Sequence, residues 1–163
     1  MAAEIERRFL VAGQGWRESV AAAVAITQGY TVLARGVLRV RLAGTRAYLT
    51  LKQRVDALER AEFEYPLPPA DAQAMMDRFC DAGRIEKTRH LLKGDHARWV
   101  VDVFHGANEG LILAEIELAA RNEDPPLPAW LGHEVTGDER YSNAALARCP
   151  FSSWGLPAGL QDA

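Results

Sequence analysis

Charged residues recur at a spacing of two along most of the segments that read as strands. The clearest cases are Glu4 and Glu6 with Arg8, Arg39 and Arg41, Glu62 and Glu64, Lys87 and Arg89, and Glu115 and Glu117. Successive side chains of a strand point to opposite faces, so the charges of each pair share a face and the mostly apolar residues between them share the other. Like charges gathered on an open sheet would repel with no structural gain. A closed or strongly curved sheet can instead collect them around one volume.

The predicted secondary structure is an antiparallel meander of about eight strands. Strands are expected at 3–11, 26–32, 37–42, 46–53, 59–66, 84–92, 97–105 and 111–119. Helices are expected at Gln14 to Val24, Ala70–Ala82 and Asp138–Arg148. The fold class is therefore α+β but mainly β, an eight-stranded antiparallel β-barrel with a few covering helices. Residues 1–163 are expected to form one domain, because this length suits a single hydrophobic core.

Composition restricts the function classes. The net charge of −3 argues against general nucleic-acid binding, which normally requires a basic excess. No apolar run has the length of a signal peptide or a membrane span, so no membrane association is expected. Cys80 and Cys149 lie far apart without metal-ligand spacing, which favours a reduced, cytoplasmic setting.

Sorting the strand residues by face leaves two possible barrels. One face is apolar, and the other collects Glu4, Glu6, Arg8, Arg39, Arg41, Tyr48, Thr50, Lys52, Arg60, Glu62, Glu64, Lys87, Arg89, Arg98, Asp102, Glu115 and Glu117. An apolar interior would give a lipid-carrying barrel with a charged exterior. A charged interior would require a ligand, since buried charges must be paired or coordinated. Carboxylates suit hard divalent cations and arginines suit phosphate oxygens, so a metal-bearing phosphate chain would use both.

The charged motifs also carry a family resemblance. They run in order as Glu4-x-Glu6-x-Arg8, Gln28-Gly29-Tyr30, Arg39-Val40-Arg41, Leu49-Thr50-Leu51-Lys52, Glu62-Phe63-Glu64, Lys87-Thr88-Arg89, Val101-Asp102-Val103-Phe104, Glu115-Ile116-Glu117 and Gly132-His133-Glu134. Together they resemble the CYTH family, also called the triphosphate tunnel metalloenzymes, and in particular its short bacterial branch. The resemblance implies a tunnel open at both ends that hydrolyses a triphosphate with Mg²⁺ or Mn²⁺. Inorganic tripolyphosphate is the substrate that this branch most often prefers.

Matching the motifs residue by residue implies three kinds of site residue. The phosphate-binding residues would be Arg8, Arg39, Arg41, Lys52, Lys87, Arg89 and His133. The metal carboxylates would be Glu4, Glu6, Glu62, Glu64, Asp102, Glu115 and Glu117. Lys52 with Tyr30 is the candidate catalytic pair, on the condition that burial or neighbouring cations lower the pKa of the lysine. Two positions depart from the family: Arg8 replaces a lysine, and His133 stands where a lysine is common, so its charge depends on pH.

Other readings remain open from the sequence alone. A class IV-type adenylate cyclase of the same family would need an adenine pocket, and no clear set of aromatic or amide residues marks one. A non-catalytic polyphosphate or nucleotide sensor would keep the cations and lose the carboxylates, yet all seven acids are present. The expected partner is a small-molecule triphosphate, and a homodimer is a candidate assembly. Phe151–Leu160 could close one tunnel mouth or pack in such a dimer.

Overall fold

Eight strands of this protein close into an antiparallel barrel. The structure is a computed structural model that describes residues 2–155. The strands are β1 Ala2–Val11, β2 Val20–Leu33, β3 Gly36–Ala43, β4 Arg46–Arg54, β5 Glu59–Leu67, β6 Ile85–Leu92, β7 Trp99–Phe104, β8 Ile112–Glu117 and β9 Leu131–Glu134. Around the barrel the order is β5-β4-β3-β2-β6-β7-β8-β1. The predicted eight-stranded antiparallel barrel is therefore confirmed.

Strand β1 closes the ring. Its residues 6–10 pair with β8, and residues 2–5 pair with β5 on the opposite edge. The short strand β9, which the sequence did not predict, pairs with the C-terminal end of β1. Every neighbouring pair is antiparallel, and closure removes the free edges that an open sheet would expose.

The helix α1, Pro69–Phe79, covers the outside of β3 and β4. Val40 and Ala47 of the sheet pack there against Ala72 and Met76 of the helix. Gly29 permits this approach, because a Cβ at that position would lie only 2.8 Å from the Cβ of Cys80. The apolar face of these strands is thus the outer face, as expected for a barrel with charges inside.

A second apolar layer covers β1, β7 and β8 from outside. Phe9, Trp99 and Ile116 of these strands are buried with Trp16 and Trp130 from the connecting segments. The rings of Phe9 and Trp99 meet edge to face at 5.6 Å, and those of Trp99 and Trp130 at 5.9 Å. Burial of these large side chains supplies much of the apolar surface that stabilises the barrel.

One end of the barrel is filled by apolar side chains. Ile85, Phe104 and Leu113 lie on β6, β7 and β8, each two residues from an interior charged residue and therefore on the same face. Each of the three is at most 1% exposed. They pack with Leu146 of α2, Asn143–Arg148. Partly buried Trp154 joins the same cluster. The structure therefore differs here from the expectation of a tunnel open at both ends, and the residues after 155 lie outside the described part.

The helices differ from the predictions in two places. The predicted helix Gln14 to Val24 is wrong: a single 3₁₀ turn, Gly15–Ser19, leads directly into β2. The predicted terminal helix is split into a 3₁₀ turn, Glu139–Tyr141, and α2. Within residues 2–155, no helix has the length and apolar character needed to cross a bilayer.

Candidate active site

Charged side chains line the interior of the barrel. They surround a cavity of about 320 Å³, a size within the range of small-molecule sites. The basic side chains on its wall are Arg8, Arg39, Arg41, Lys52, Arg54, Arg60, Lys87 and Arg89, and the acidic ones are Glu4, Glu6, Glu62, Glu64, Glu115 and Glu139. This wall excludes the lipid-carrying barrel, whose interior would be apolar.

The two signs of charge occupy different arcs of the barrel wall. The adjacent strands β8, β1 and β5 carry an acidic arc, composed of Glu115, Glu4, Glu6, Glu62 and Glu64. Strands β4, β3 and β6 carry a basic arc, composed of Lys52, Arg39, Arg41, Lys87 and Arg89. Arg8 and Arg60 are the basic residues set within the acidic arc. A ligand that presents positive charge to the acidic arc and negative charge to the basic arc would match both.

The basic arc is short of counter-charge at β3. Arg41 donates from Nε to the amide Oε1 of Gln28 at 2.8 Å, and no carboxylate in residues 2–155 forms an ion pair with it. Burial, together with the charges of Arg39 and Arg89, lowers the pKa of Arg41 to about 10. Arg39 Nη2 donates to Glu64 at 3.0 Å, but the Nε of Arg39 is buried and has no hydrogen-bond partner in the described residues. These unused donors attract an anion, because leaving a buried charged donor unpaired is costly.

Asp102 pairs with two cations of the basic arc from a position outside the cavity wall. Its carboxylate is fully buried, accepts from Lys87 Nζ at 2.7 Å, and accepts from Arg89 Nε and Nη2 at 2.8 and 2.7 Å. Burial alone would raise the pKa of Asp102, but these two cations outweigh burial and hold it below its usual value. Asp102 is not part of the cavity wall. The structure thus places this predicted metal carboxylate as a counter-ion to Lys87 and Arg89.

Lys87 has a pKa that its surroundings lower into the neutral range. Burial lowers its pKa to about 7, with Arg89 and Arg41 adding to the shift and Asp102 opposing it. Lys52, the predicted catalytic lysine, lies 2.7 Å from both Glu4 and Glu62. Lys87, on β6, is therefore a basic residue whose charge depends on pH near neutrality.

Tyr30, the other predicted catalytic residue, lines the cavity and is 5% exposed. Its hydroxyl oxygen accepts from Gln28 Nε2 at 2.8 Å. Burial raises the pKa of Tyr30, although Arg39 and Arg41 oppose the shift. The phenol is therefore neutral near pH 7, and the structure places it as a hydrogen-bonding group. Catalysis by Tyr30 and Lys52 stays a prediction.

Cations bridge the carboxylates of the acidic arc. Lys52 lies between Glu4 and Glu62, and Arg8 donates to Glu115 at 3.0 Å and to Glu6 at 2.8 Å. Arg8 and Arg89 together outweigh burial and lower the pKa of Glu115 to about 2.

Two features show that these bridges leave the acids incompletely paired. Burial and the neighbouring Glu115 and Glu4 raise the pKa of Glu6 despite Arg8 and Arg60. Oε2 of Glu62 is buried at ion-pair distance from Lys52 without hydrogen-bond geometry, so it lacks a hydrogen bond in the described residues. The acidic arc can therefore accept additional positive charge.

The side chains of the acidic arc fit a hard divalent cation. All five are carboxylates, and carboxylate oxygens are the ligands that Mg²⁺ and Mn²⁺ prefer. Across residues 2–155, no three such side chains already converge in metal-binding geometry, since each leans toward an arginine, a lysine or a threonine. A metal would have to arrive with groups that draw those cations away.

Two predicted site residues lie apart from the cavity. Glu117 ends β8 and is exposed, and His133 lies exposed on β9. Neither contributes to the cavity wall. Arg98, which sorting by face had put inside, precedes β7 and pairs with Glu123 at the surface. Roles for Glu117 in metal binding and His133 in phosphate binding stay predictions.

Two amide residues of the interior were not assigned a role from sequence. Gln28 is 0% exposed, and Asn143 of α2 lies on the cavity wall. The amide oxygen of Asn143 accepts from Lys87 Nζ at 2.8 Å and from Gln28 Nε2 at 2.9 Å. A polar Gln28 within a strand otherwise rich in apolar residues was the available signal.

A closed antiparallel barrel with an acidic and a basic arc facing one cavity defines a class of protein: a charged β-tunnel. Comparisons with known proteins agree. The CYTH domain profile matches residues 2–148. This chain belongs to the CYTH family, which confirms the resemblance recognised in the sequence.

Relatives match along nearly their whole length. An inorganic triphosphatase of Acetivibrio thermocellus is 38% identical over 155 residues, covering 94% of this chain and 99% of that protein. An inorganic triphosphatase of Nitrosomonas europaea is 36% identical over 149 residues, covering 88% and 96%. The crystal structure of an inorganic triphosphatase aligns with a TM-score of 0.63 at 34% identity, covering 90% of this chain and 95% of that one.

Proposed function

We propose that this protein hydrolyses a triphosphate, inorganic tripolyphosphate in the first place, inside its charged barrel with the help of a divalent cation, Mg²⁺ or Mn²⁺. The observation that carries the proposal is the segregation of charge around one cavity, with carboxylates on β8, β1 and β5 and cations on β4, β3 and β6. A phosphate chain with a bound divalent cation offers the matching charge to each arc. The names of the similar proteins agree with this substrate class.

The basic arc would bind the phosphate oxygens. Arg39 Nε and the guanidinium of Arg41 are donors without carboxylate partners in the described residues. Lys87 and Arg89 are held beside them by Asp102. Phosphoryl transfer spreads negative charge over the equatorial oxygens, so fixed cations around the chain lower the barrier without covalent participation of the protein.

The acidic arc would hold the divalent cation. Glu4, Glu6, Glu62, Glu64 and Glu115 are the carboxylates at hand. A triphosphate that attracts Lys52 and Arg8 would release the carboxylates that these two side chains now bridge. The divalent metal ion, when bound, would neutralise charge on the phosphate oxygens and acidify a water molecule.

The cavity wall favours an inorganic chain over a nucleotide. Tyr30 is the one aromatic residue among the described lining residues, and its hydroxyl is engaged with Gln28. Stacking on aromatic rings is a common means of binding a base.

The test is phosphate release from tripolyphosphate, ATP and thiamine triphosphate, each with Mg²⁺, with Mn²⁺ and with chelator, together with a measurement of cyclic AMP. We expect metal-dependent phosphate release that is fastest with tripolyphosphate. Formation of cyclic AMP from ATP would instead identify a cyclase. Binding of triphosphate without turnover in any metal would identify a sensor.

A further inference from the structure

We infer that Asn143, the first residue of α2, is a positioning residue for the phosphate-binding cations of the barrel. Its amide oxygen accepts hydrogen bonds from Lys87 Nζ at 2.8 Å and from Gln28 Nε2 at 2.9 Å. Gln28 in turn accepts from Arg41 Nε at 2.8 Å. One amide thus joins a cation of β6 to a cation of β3 through Gln28 of the strand between them. The inference deepens the proposed function and rests on it.

The orientation of both amides follows from the chemistry of their neighbours. Arginine and protonated lysine can only donate, so the atom of Asn143 that meets the Lys87 ammonium and the atom of Gln28 that meets Arg41 must be oxygens. The nitrogen of Gln28 then faces the oxygen of Asn143 and the hydroxyl of Tyr30. Every contact pairs a donor with an acceptor, and reversing either amide would oppose two donors. The chain from Lys87 to Arg41 therefore has one consistent arrangement.

Asn143 is held in place independently of its contacts in the barrel. Ser142 caps α2 by accepting from the backbone N–H of Ala145 at 3.1 Å. Leu146 is 0% exposed in the apolar cluster that fills the end of the barrel. The helix is thus anchored by packing and capping, and Asn143 projects from a fixed base toward Lys87. Removing the amide should disturb the cations and leave α2 in place.

The physical effect is on the freedom of the two cations. The side chain of Lys87 has four rotatable bonds, and its ammonium contacts Asp102 and Asn143. Without the amide of Asn143, the contact with Asp102 would remain. Arg41 has no carboxylate partner in residues 2–155, so Gln28 is its anchor there. A side chain that must be ordered when substrate binds weakens binding, and one ordered beforehand does not. Because both cations meet the triphosphate before and during the reaction, losing their anchor should raise KM more than it lowers kcat.

The experiment compares Asn143→Ala with Ala147→Gly, a control in the same helix. The glycine loosens α2 through backbone freedom, and Ala147 belongs to the apolar cluster at the end of the barrel without lining the cavity. With tripolyphosphate and Mg²⁺, we expect Asn143→Ala to raise KM about tenfold, as for one or two lost hydrogen bonds, and to change kcat less than about threefold. We expect Ala147→Gly to lower Tm and leave KM within about twofold of wild type.

A double-mutant cycle tests the route through Lys87. Binding of tripolyphosphate is measured by calorimetry in chelator for wild type, Asn143→Ala, Lys87→Ala and the double variant. We expect the penalty of Asn143→Ala to shrink at least about threefold when Lys87 is absent. The same penalty in both backgrounds, or equal KM changes for Asn143→Ala and Ala147→Gly, would overturn the inference. If wild type binds tripolyphosphate and does not hydrolyse it, the proposed function fails and the binding cycle still judges Asn143.

Discussion

Replacing Asp102 with asparagine tests whether this buried carboxylate is the counter-ion of two cations. The change removes one charge, leaves Lys87 without a carboxylate partner in the described residues, and leaves Arg89 paired with Glu115 alone. Breaking a buried ion pair by removing one member typically costs about 3–5 kcal/mol. For a chain of this length, such a loss corresponds to a Tm lower by roughly 10 °C. We expect Asp102→Asn to lose about this much stability near pH 6, without metal or substrate.

The loss should depend on pH in a defined direction. The pKa of Asp102 lies below its usual value, so in wild type this carboxylate stays charged throughout the neutral range. Lys87, with a pKa lowered to about 7, loses its proton as the pH rises to about 9. Fewer unpaired cations then remain in the variant. We therefore expect the difference from wild type to shrink to about 2 kcal/mol at that pH.

The assay is urea denaturation followed by tryptophan fluorescence at the two pH values. Glu117→Gln serves as the matched control. It also removes one strand carboxylate, but Glu117 lies at the exposed end of β8. We expect the control to change stability by less than about 0.5 kcal/mol. A loss below about 1 kcal/mol for Asp102→Asn, or a loss that grows with pH, would refute the role of counter-ion.

The remaining predictions concern activity on tripolyphosphate. Arg41→Ala should lower kcat/KM on the order of 100-fold, because Arg41 is a cation of the basic arc without a carboxylate partner in the described residues. Its control, Arg46→Ala, changes an exposed arginine at the start of β4 and should retain activity within about twofold. In wild type, KM should rise about tenfold between about pH 6 and pH 9 as Lys87 loses its proton, and Lys87→Arg should abolish that rise in side-by-side pH profiles. An Arg41→Ala enzyme as active as its control, or an unchanged pH profile in Lys87→Arg, would contradict these expectations.

The alternation of charged and apolar residues allowed the barrel and much of its interior to be predicted. A strand has a period of two regardless of its partners, so Glu62 and Glu64 could be assigned to one face and Phe63 to the other. The structure places Glu62 on the cavity wall and Phe63 outside, 40% exposed. The arrangement of acids and bases in separate arcs depends on which strands are neighbours. Strand order is a tertiary property that the local pattern does not contain.

The errors have physical causes. The run Ala21–Ala23 has a high helix propensity, but in the barrel it lies in β2 beside β6, and the pairing overrides the local preference. Two residues before Lys87 and Glu115, on the same face, stand Ile85 and Leu113. This spacing already indicated that the interior becomes apolar toward one end.

Buried interactions between distant segments were beyond the sequence pattern. Nothing near Asp102 in the chain shows that its carboxylate would be enclosed by Lys87 and Arg89. The contact of Asn143 with Gln28 joins residues 115 positions apart. Short motifs can indicate that a residue is charged and on which face it lies. They do not indicate which of several nearby partners it will bind.

The most direct measurement of the central claim compares two adjacent residues of β5. Glu62→Gln and Phe63→Gln are purified, checked for folding, and assayed for phosphate release from tripolyphosphate with Mg²⁺ and with Mn²⁺. Glu62 faces the cavity and Phe63 faces outward, so we expect on the order of a 100-fold loss of kcat/KM for Glu62→Gln and near wild-type activity for Phe63→Gln. Equal losses in the two variants, or full activity in Glu62→Gln, would contradict a reaction that takes place inside the charged barrel.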